Sequence, residues 1–315
     1  MARHLGGCQS VVCRGAEALI VATGKPTLAC IDIVMVSCNS GAVLEDAVAR
    51  ALDSAECASL SLVDNDSTDG FPERVQQRWS ADRRFRFDPV GRNSGFGAAC
   101  NRGAAVGSAP NLLLLNPDCL IERGSLAALI AVLRADVGIG VLGADVHDAY
   151  GKDEPAARRR DPTPMRLLAD AWRPLCPSCQ GVKLPRTSDR VQTVDACSGA
   201  LLLMPRPAWV RVGGFDSDFF LHGEDLDLCR RVRQSGYRVA VANGVPVVHR
   251  QGSSSQARPV FVALHKHIGL GRFLLRHQVS GRWRQTLVVL GLAAAFLLRG
   301  LPKALLAQRR KSQGG

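Results

Sequence analysis

CIDIVMVS, from Cys30 to Ser37, is a short and nearly continuous apolar run that gives way to the polar turn Cys38-Asn39-Ser40. A half-buried strand alternates apolar and polar residues, so a run apolar on both parities predicts a strand covered on both faces. Working outward, the spacing predicts a helix over Leu44–Leu52 and a strand over Leu60–Val63 that ends at Asp64-Asn65. A helix over Pro72–Trp79, a strand over Phe85–Asp88 and a helix over Phe96–Val106 follow. The strand Asn111–Leu115 then runs straight into Asn116-Pro117-Asp118, ahead of a helix over Leu126–Leu133 and a strand over Ile139–Ala144. This alternation predicts an α/β fold with a doubly wound, mostly parallel, Rossmann-like sheet.

Residues 146–192 are rich in Pro and Arg and poorly periodic, as expected of a long excursion from the sheet. Order returns at Val194–Met204, then a helix over Asp225–Ser235 with Gly236 placed to end it, and closing strands over Tyr237–Ala242 and Val245–His249. Near the C-terminus, Thr286–Leu298 (TLVVLGLAAAFLL) is 13 uncharged, mostly apolar residues bracketed by Arg282/Arg284 and Arg299/Lys303. A full membrane span needs about 20 residues. The expectation is therefore a helix lying in the membrane interface, with its Lys and Arg reaching the head groups; a core helix of the same domain is the alternative. The expected division is a weakly ordered extension (1–29), an α/β domain (30–255) and a basic, partly apolar helical segment (256–315).

Apolar residues make up 46% of the 315, enough to bury a core and exclude global disorder. All 28 acidic residues lie at or before Asp227 beside 24 Lys/Arg, whereas the last 88 residues carry 16 Lys/Arg and no acid. A basic tail on a slightly acidic body points to an anionic surface as partner. With two Tyr and no interleaving of aromatic and basic residues, the tail lacks a stacking platform for nucleic acid, so lipid head groups are the expected partner. Eleven dispersed cysteines argue against a disulfide framework and for a reducing compartment. Cys176 and Cys179 form a lone CxxC, read as a zinc pair or as coincidence. Residues 1–29 lack a convincing signal peptide, being interrupted by Gly, Gln, Arg and Glu.

Loops that follow parallel strands gather on one edge of the sheet, where such folds bind ligands. Four polar clusters fall there. Ser37-Cys38-Asn39-Ser40 and Asp64-Asn65-Asp66-Ser67-Thr68-Asp69-Gly70 have turn chemistry, and Asp64 at a strand end can accept hydrogen bonds from a ribose hydroxyl or a base N–H. Asn116-Pro117-Asp118, after four leucines, delivers a carboxylate where a hard cation such as Mg²⁺ or Mn²⁺ can bind beside a diphosphate. Gly223-Glu224-Asp225 opens a helix; its carboxylates either complement the helix N-terminus or supply a general base to a hydroxyl. His249 ends the last strand and is a candidate second metal ligand.

In this order the clusters resemble glycosyltransferase family 2, and within it the rhamnosyltransferase-like members that build bacterial surface polysaccharide. The likeness is carried by Val34–Ser40 (VMVSCNS), Val63–Gly70 (VDNDSTDG), Asn93–Gly103 (NSGFGAACNRG), Leu114–Asp118 (LLNPD), Ser198–Met204 (SGALLLM), Gly213–Asp216 (GGFD), Phe219–Leu228 (FFLHGEDLDL) and His249–Ser253 (HRQGS). The resemblance implies a GT-A fold and an inverting transfer from a nucleotide sugar bound through a divalent ion, Mg²⁺ or Mn²⁺. By matched motif, Asp118 and His249 would hold the ion. Asp225, with Glu224 beside it, would act as the base. Ser37, Asn39, Asp64, Asn65, Asn93, Asn101 and Asn116 would line the nucleotide pocket. Cys38 stands where the family has an aromatic residue, and Asn116 replaces the first acid of the DxD pattern. The implied donor is deoxythymidine diphosphate L-rhamnose. The implied acceptor is a saccharide, polyprenyl-diphosphate-linked, met by a cytoplasmic enzyme peripheral to the inner face of the cell membrane. The alternative is an inactive nucleotide-sugar-binding or scaffold protein on the same fold.

Overall fold

The computed structural model describes residues 29–154, 156–172, 175, 178–250 and 258–312. The expected extension lies outside the described residues except for its last residue, as do Cys176 and the part of the HRQGS motif beyond Arg250.

One mixed sheet organises the chain. In chain order its strands are β1 (Ile31–Ser37), β2 (Cys57–Asp64), β3 (Phe85–Pro89), β4 (Asn111–Leu115), β5 (Cys119–Ile121), β6 (Ile139–His147), β8 (Val191–Val194), β10 (Leu201–Pro205) and β11 (Arg238–His249). They lie in the order β3-β2-β1-β4-β10-β6-β11-β5, with β8 also on β11. Strands β3, β2, β1 and β4 are mutually parallel, and β6 is parallel to β11. Strand β10 runs against β4 and β6, and the short β5 and β8 run against β11. Two short strands, β7 (Arg158–Arg159) and β9 (Ala196–Cys197), form a separate ribbon.

The parity of β1 shows how the sequence builds two layers. Ile31, Ile33 and Met35 join a core with Leu44 and Val48 of α1 (Val43–Leu52), Val75 of α2 (Phe71–Trp79) and Leu129 of α4 (Ser125–Ala135). Val34 and Val36 join another with Cys100 of α3 (Phe96–Ala104), Trp209 of α6 (Arg206–Val212), Leu228 of α7 (Glu224–Gln234) and Phe273 of α8 (Pro259–His277). Period-2 side-chain alternation thus feeds both faces, which is why the run is apolar on both parities. Gly103 is required where α3 crosses β1: a Cβ there would lie 2.6 Å from a Val34 methyl.

Three expectations change. The ordered stretch at Val194–Met204 is three strand pieces, broken at Asp195 and at the Ser198-Gly199-Ala200 turn. The two closing strands are one, β11, whose pairing with β6 skips between Ala242 and Pro246 around Gly244, at φ +84°. The excursion holds β7 and a helix, α5 (Pro164–Trp172), with no buried residue.

The C-terminal segment also differs. Helix α8 packs on the α/β body through Phe273 and Leu274, and His277 bonds the fully buried Asp227 at 2.8 Å, so the body extends in packing through His277. Beyond it, α9 (Arg282–Ala295), a π-helical turn (Phe296–Gly300) and α10 (Leu301–Ser312) are continuous. Pro302 has no N–H to give and would crowd the carbonyl four residues back; a widened turn immediately before it lets the helix continue. The stretch Arg282–Arg309 is 28 residues, long and apolar enough to cross a membrane by length and composition. The apolar count of 13 residues underestimated it, so length does not separate a spanning helix from an interfacial one. Helix α9 buries none of its residues, which overturns the core-helix alternative.

Candidate active site

Strand direction brings the polar clusters together. The C-terminal ends of β1, β2, β4, β6 and β11 share one edge of the sheet with the N-terminal end of the reversed β10. Among the described residues, three other than Gly adopt positive φ, and all lie in loops at this edge: Asn39 (57°), Asp66 (74°) and His222 (64°). Such backbone is costly for side-chain-bearing residues and concentrates at functional loops.

The pairing of β5 with β11 places Cys119 opposite His249, and the Arg250 N–H donates to the Asp118 carbonyl at 2.9 Å. Asp118, one residue before β5, is thereby set against the imidazole: His249 Nε2 lies 3.1 Å from Asp118 Oδ1. A one-residue slip would turn His249 to the opposite face. Nδ1 of the same ring lies 2.9 Å from Glu154 Oε2. Burial pulls the imidazole pKa down, but hydrogen bonds to Asp118 and Glu154 more than offset this and lift it to about 10. Asp118, Cys119 and His249 could together hold an ion. Burial holds the Cys119 thiol well above its usual range, leaving a carboxylate oxygen and an imidazole nitrogen, donors that suit Mn²⁺ and Mg²⁺.

Asp118, Asn116, His249, Glu224 and Asp225 all line one cleft of about 660 Å³. Gly223, at φ +90°, turns the chain into α7, so Glu224 and Asp225 fall in that helix's first turn. Asp225 Oδ2 accepts from Arg159 at 2.6 Å and from the Gly199 N–H at 3.2 Å. Burial raises its pKa, yet the Arg159 guanidinium prevails and holds the carboxyl below the usual carboxylate range. Glu224 behaves oppositely. Burial first, then the charge of Asp225, push it up to about 8, and its Oε2 has no hydrogen-bond partner among the described residues. His222, just upstream, is pulled down to about 4 by burial and by the Lys266 ammonium.

The other residues that the motifs assign to the nucleotide are linked to one another at the same sheet edge, outside the lining of that cleft. Ser37 Oγ bonds Ser40 Oγ at 3.1 Å, and the Asn39 side-chain oxygen accepts from the Thr68 N–H at 2.8 Å. Asp64 is buried, which raises its pKa, while Ser67 hydrogen bonds oppose the rise. Asn65 Nδ2 donates to Asn93 Oδ1 at 3.1 Å, and Asn65 Oδ1 accepts from the Ser94 N–H at 2.8 Å. Asn101 is bonded elsewhere. Its Nδ2 donates to the Phe215 carbonyl and its Oδ1 accepts from the Phe215 N–H, both at 2.8 Å. Both ends of the amide are occupied by the GGFD loop, so Asn101 clamps that loop. Cys179 is disulfide-bonded, which leaves no thiolate there for zinc.

Sequence reasoning missed Arg159 and Glu154, both in the excursion. The signal was the triplet Arg158-Arg159-Arg160. On a strand its members alternate faces: Arg158 is buried against Asp145 at 2.6 Å, while Arg159 meets Asp225.

A family model described as glycosyl transferase family 2 matches residues 32–188. Over 273 residues the chain is 31% identical to N-acetylglucosaminyl-diphospho-decaprenol L-rhamnosyltransferase of Mycobacterium tuberculosis, an alignment covering 81% of this chain and 87% of the relative. It is 26% identical over 140 residues to rhamnosyltransferase WbbL of Escherichia coli, covering 44% of this chain and 51% of that one. Among solved structures, the mannosyltransferase PcManGT from Pyrobaculum calidifontis, in complex with GDP-Man and Mn²⁺, superposes with a TM-score of 0.56 at 18% identity, over 93% of this chain and 77% of that one. The chain belongs to glycosyltransferase family 2, in its rhamnosyltransferase-like branch, and is an inverting glycosyltransferase of GT-A fold.

Proposed function

We propose that this enzyme transfers L-rhamnose from deoxythymidine diphosphate rhamnose to a polyprenyl-diphosphate-linked saccharide at the inner face of the membrane. The observation that carries the reading is the convergence of Asp118, His249 and Asp225 on one cleft. The names of the mycobacterial and Escherichia coli relatives support the sugar, and the first of them supports the class of acceptor. This convergence also favours an enzyme over an inactive scaffold, which has no need of an ion pair and a carboxylate at one edge.

In the proposed reaction, Asp225 Oδ accepts the proton of the acceptor hydroxyl as that oxygen forms a bond to the anomeric carbon. The bond from that carbon to the diphosphate oxygen breaks on the opposite face, and the nucleoside diphosphate leaves, so the configuration inverts. Arg159 orients Asp225 and keeps it ionised, ready to accept a proton at neutral pH. Glu224, neutral below about 8, spares the site a second negative charge. A divalent ion held by Asp118 and His249 would act as a Lewis acid on the departing diphosphate; the mixed oxygen–nitrogen donor pair favours Mn²⁺. Asp64, Asn65 and Asn93 would hold the nucleoside.

The deciding experiment screens nucleotide sugars for Mn²⁺-dependent thermal stabilisation and for transfer to an N-acetylglucosaminyl polyprenyl diphosphate. Transfer from another donor in preference to deoxythymidine diphosphate rhamnose would replace this assignment.

Proton release tests the metal pair separately. Ligation needs a neutral imidazole, whereas His249 in the ion-free protein is a cation up to about pH 10. Below that value each Mn²⁺ bound should displace about one proton, and apparent affinity should rise about tenfold per pH unit. Calorimetry in two buffers of different protonation enthalpy reads the number directly. A value near zero would remove His249 from the ligand set.

The basic tail supports attachment to anionic lipid, at about 1 kcal/mol per Lys or Arg near the surface. Deleting residues 282–315 removes seven such charges and the exposed Trp283, Leu287, Leu290, Leu297 and Leu298. The truncated protein is expected to stay in the supernatant when vesicles rich in anionic lipid are spun down. Undiminished cosedimentation would reject the tether.

A further inference from the structure

We propose that α8 is the wall of the cleft that recognises the lipid-linked acceptor, with Lys266 binding the acceptor's diphosphate at head-group level. The inference rests on the acceptor class proposed above and adds the residue and surface that would read it.

Lys266 and Leu270, one turn apart on α8, line the same cleft as Asp118 and Asp225. The other cationic groups there are mostly committed. Arg159 is tied to Asp225, and His249 sits between Asp118 and Glu154. Lys266 and Lys183 make no ion pair among the described residues. A diphosphate is the natural ligand for a compact ammonium with three donors. The donor's diphosphate would be met by the divalent ion that Asp118 and His249 would hold, so the uncommitted charge on α8 suits a second one.

The position of α8 says where that second diphosphate comes from. Gly269 lies directly against the loop that presents the base, and a Cβ there would collide with the His222 carbonyl oxygen. From the other side, a Cβ on Gly223 would lie 2.9 Å from the Gly269 carbonyl carbon. With no side chains between them, the helix sits as close to the Glu224-Asp225 turn as backbones allow. On the flank of α8 away from the cleft, Phe261, Leu264 and Ile268 are 36%, 39% and 43% exposed, spaced i, i+3 and i+7. That spacing forms one apolar stripe. A helix with such a stripe lies in the interface plane, its apolar side about 5–10 Å into the acyl boundary and its cationic side among the head groups. Lys266 falls within one helical turn of the stripe, on the cleft side. The phosphates of a membrane-anchored acceptor lie at that depth, its polyprenyl chain running beside the stripe. Charge agrees: the 88 residues after Asp227 contain 16 Lys/Arg and no acid.

The test compares two acceptors in the full-length enzyme: an N-acetylglucosaminyl polyprenyl diphosphate in vesicles and a neutral alkyl glycoside of the same sugar. In Lys266→Glu, the ratio of kcat/KM for the diphosphate acceptor over the neutral one is expected to fall at least about tenfold, mainly through KM. Lys266→Arg, which retains the charge, should restore most of the ratio. A ratio that holds in Lys266→Glu overturns the proposal. So does a tenfold loss of donor affinity measured by calorimetry without acceptor, because Lys266 would then serve the donor. If the wild-type enzyme uses neither acceptor with any nucleotide sugar, the acceptor class itself is wrong and the inference falls with it.

Discussion

Asp225→Asn is expected to slow transfer at least about 100-fold while leaving donor affinity within about twofold of wild type. General-base catalysis is worth about 10²–10⁴ in rate, and the amide keeps the size of the carboxylate but cannot take the acceptor proton. Because the interaction is made only as the reaction proceeds, the loss falls on kcat and on kcat/KM together. A second effect needs separating. Arg159 is 15% exposed and bonds Asp225 at 2.6 Å, so the variant strands a nearly buried guanidinium and the fold weakens, by up to about 3 kcal/mol. Turnover is therefore measured well below the variant's melting temperature, with folding checked by circular dichroism. Near-normal turnover in a folded variant would remove Asp225 as the base. Glu224 would then be the next carboxyl to test, since its pKa of about 8 makes it the stronger base once ionised.

Asp118→Ala should abolish Mn²⁺-dependent donor binding, a loss of more than about 100-fold in affinity. Removing groups that only support a ligand already costs about 10–100-fold, so a direct ligand should cost more. The backbone contact from Arg250 to the residue 118 carbonyl survives the substitution, which keeps β5 beside β11. His249 retains Glu154 and loses one of its two carboxylate partners, so its pKa should drop from about 10. A nuclear magnetic resonance titration of that ring would show the site still folded. Calorimetry with Mn²⁺ and the nucleotide sugar measures the binding itself. Unchanged metal-dependent affinity would show that the ion sits elsewhere.

Legibility in the sequence followed distance along the chain. The strands β1, β2 and β4 and the polar turns after them are local patterns: apolar parity sets the strand, and Asn, Asp, Ser and Gly set the turn. Asp64 and Asp118 were therefore found at strand ends by inspection. The clamp made by Asn101 was not legible because nothing near it in sequence reveals its partner, Phe215, 114 residues away. Arg159 was missed for the same reason, since its meaning comes from Asp225, 66 residues on. The terminal helix was underestimated because counting apolar residues treats Arg299 and Pro302 as ends, whereas a π turn and exposed cations let the helix continue.

By itself, then, the sequence determined the class of fold, the edge of the sheet where the polar clusters gather, and a basic, apolar C-terminal segment. Each follows from short-range spacing or from charge counted along the chain. Only the tertiary structure decided which side chains meet. The antiparallel register of β5 on β11 joins Asp118 to His249, the β7–β9 ribbon carries Arg159 to Asp225, and Gly269 seats α8 against the Glu224-Asp225 turn. The physical reason is that register and close approach are set by pairing and packing between segments far apart in the chain, and local residue preferences do not encode them.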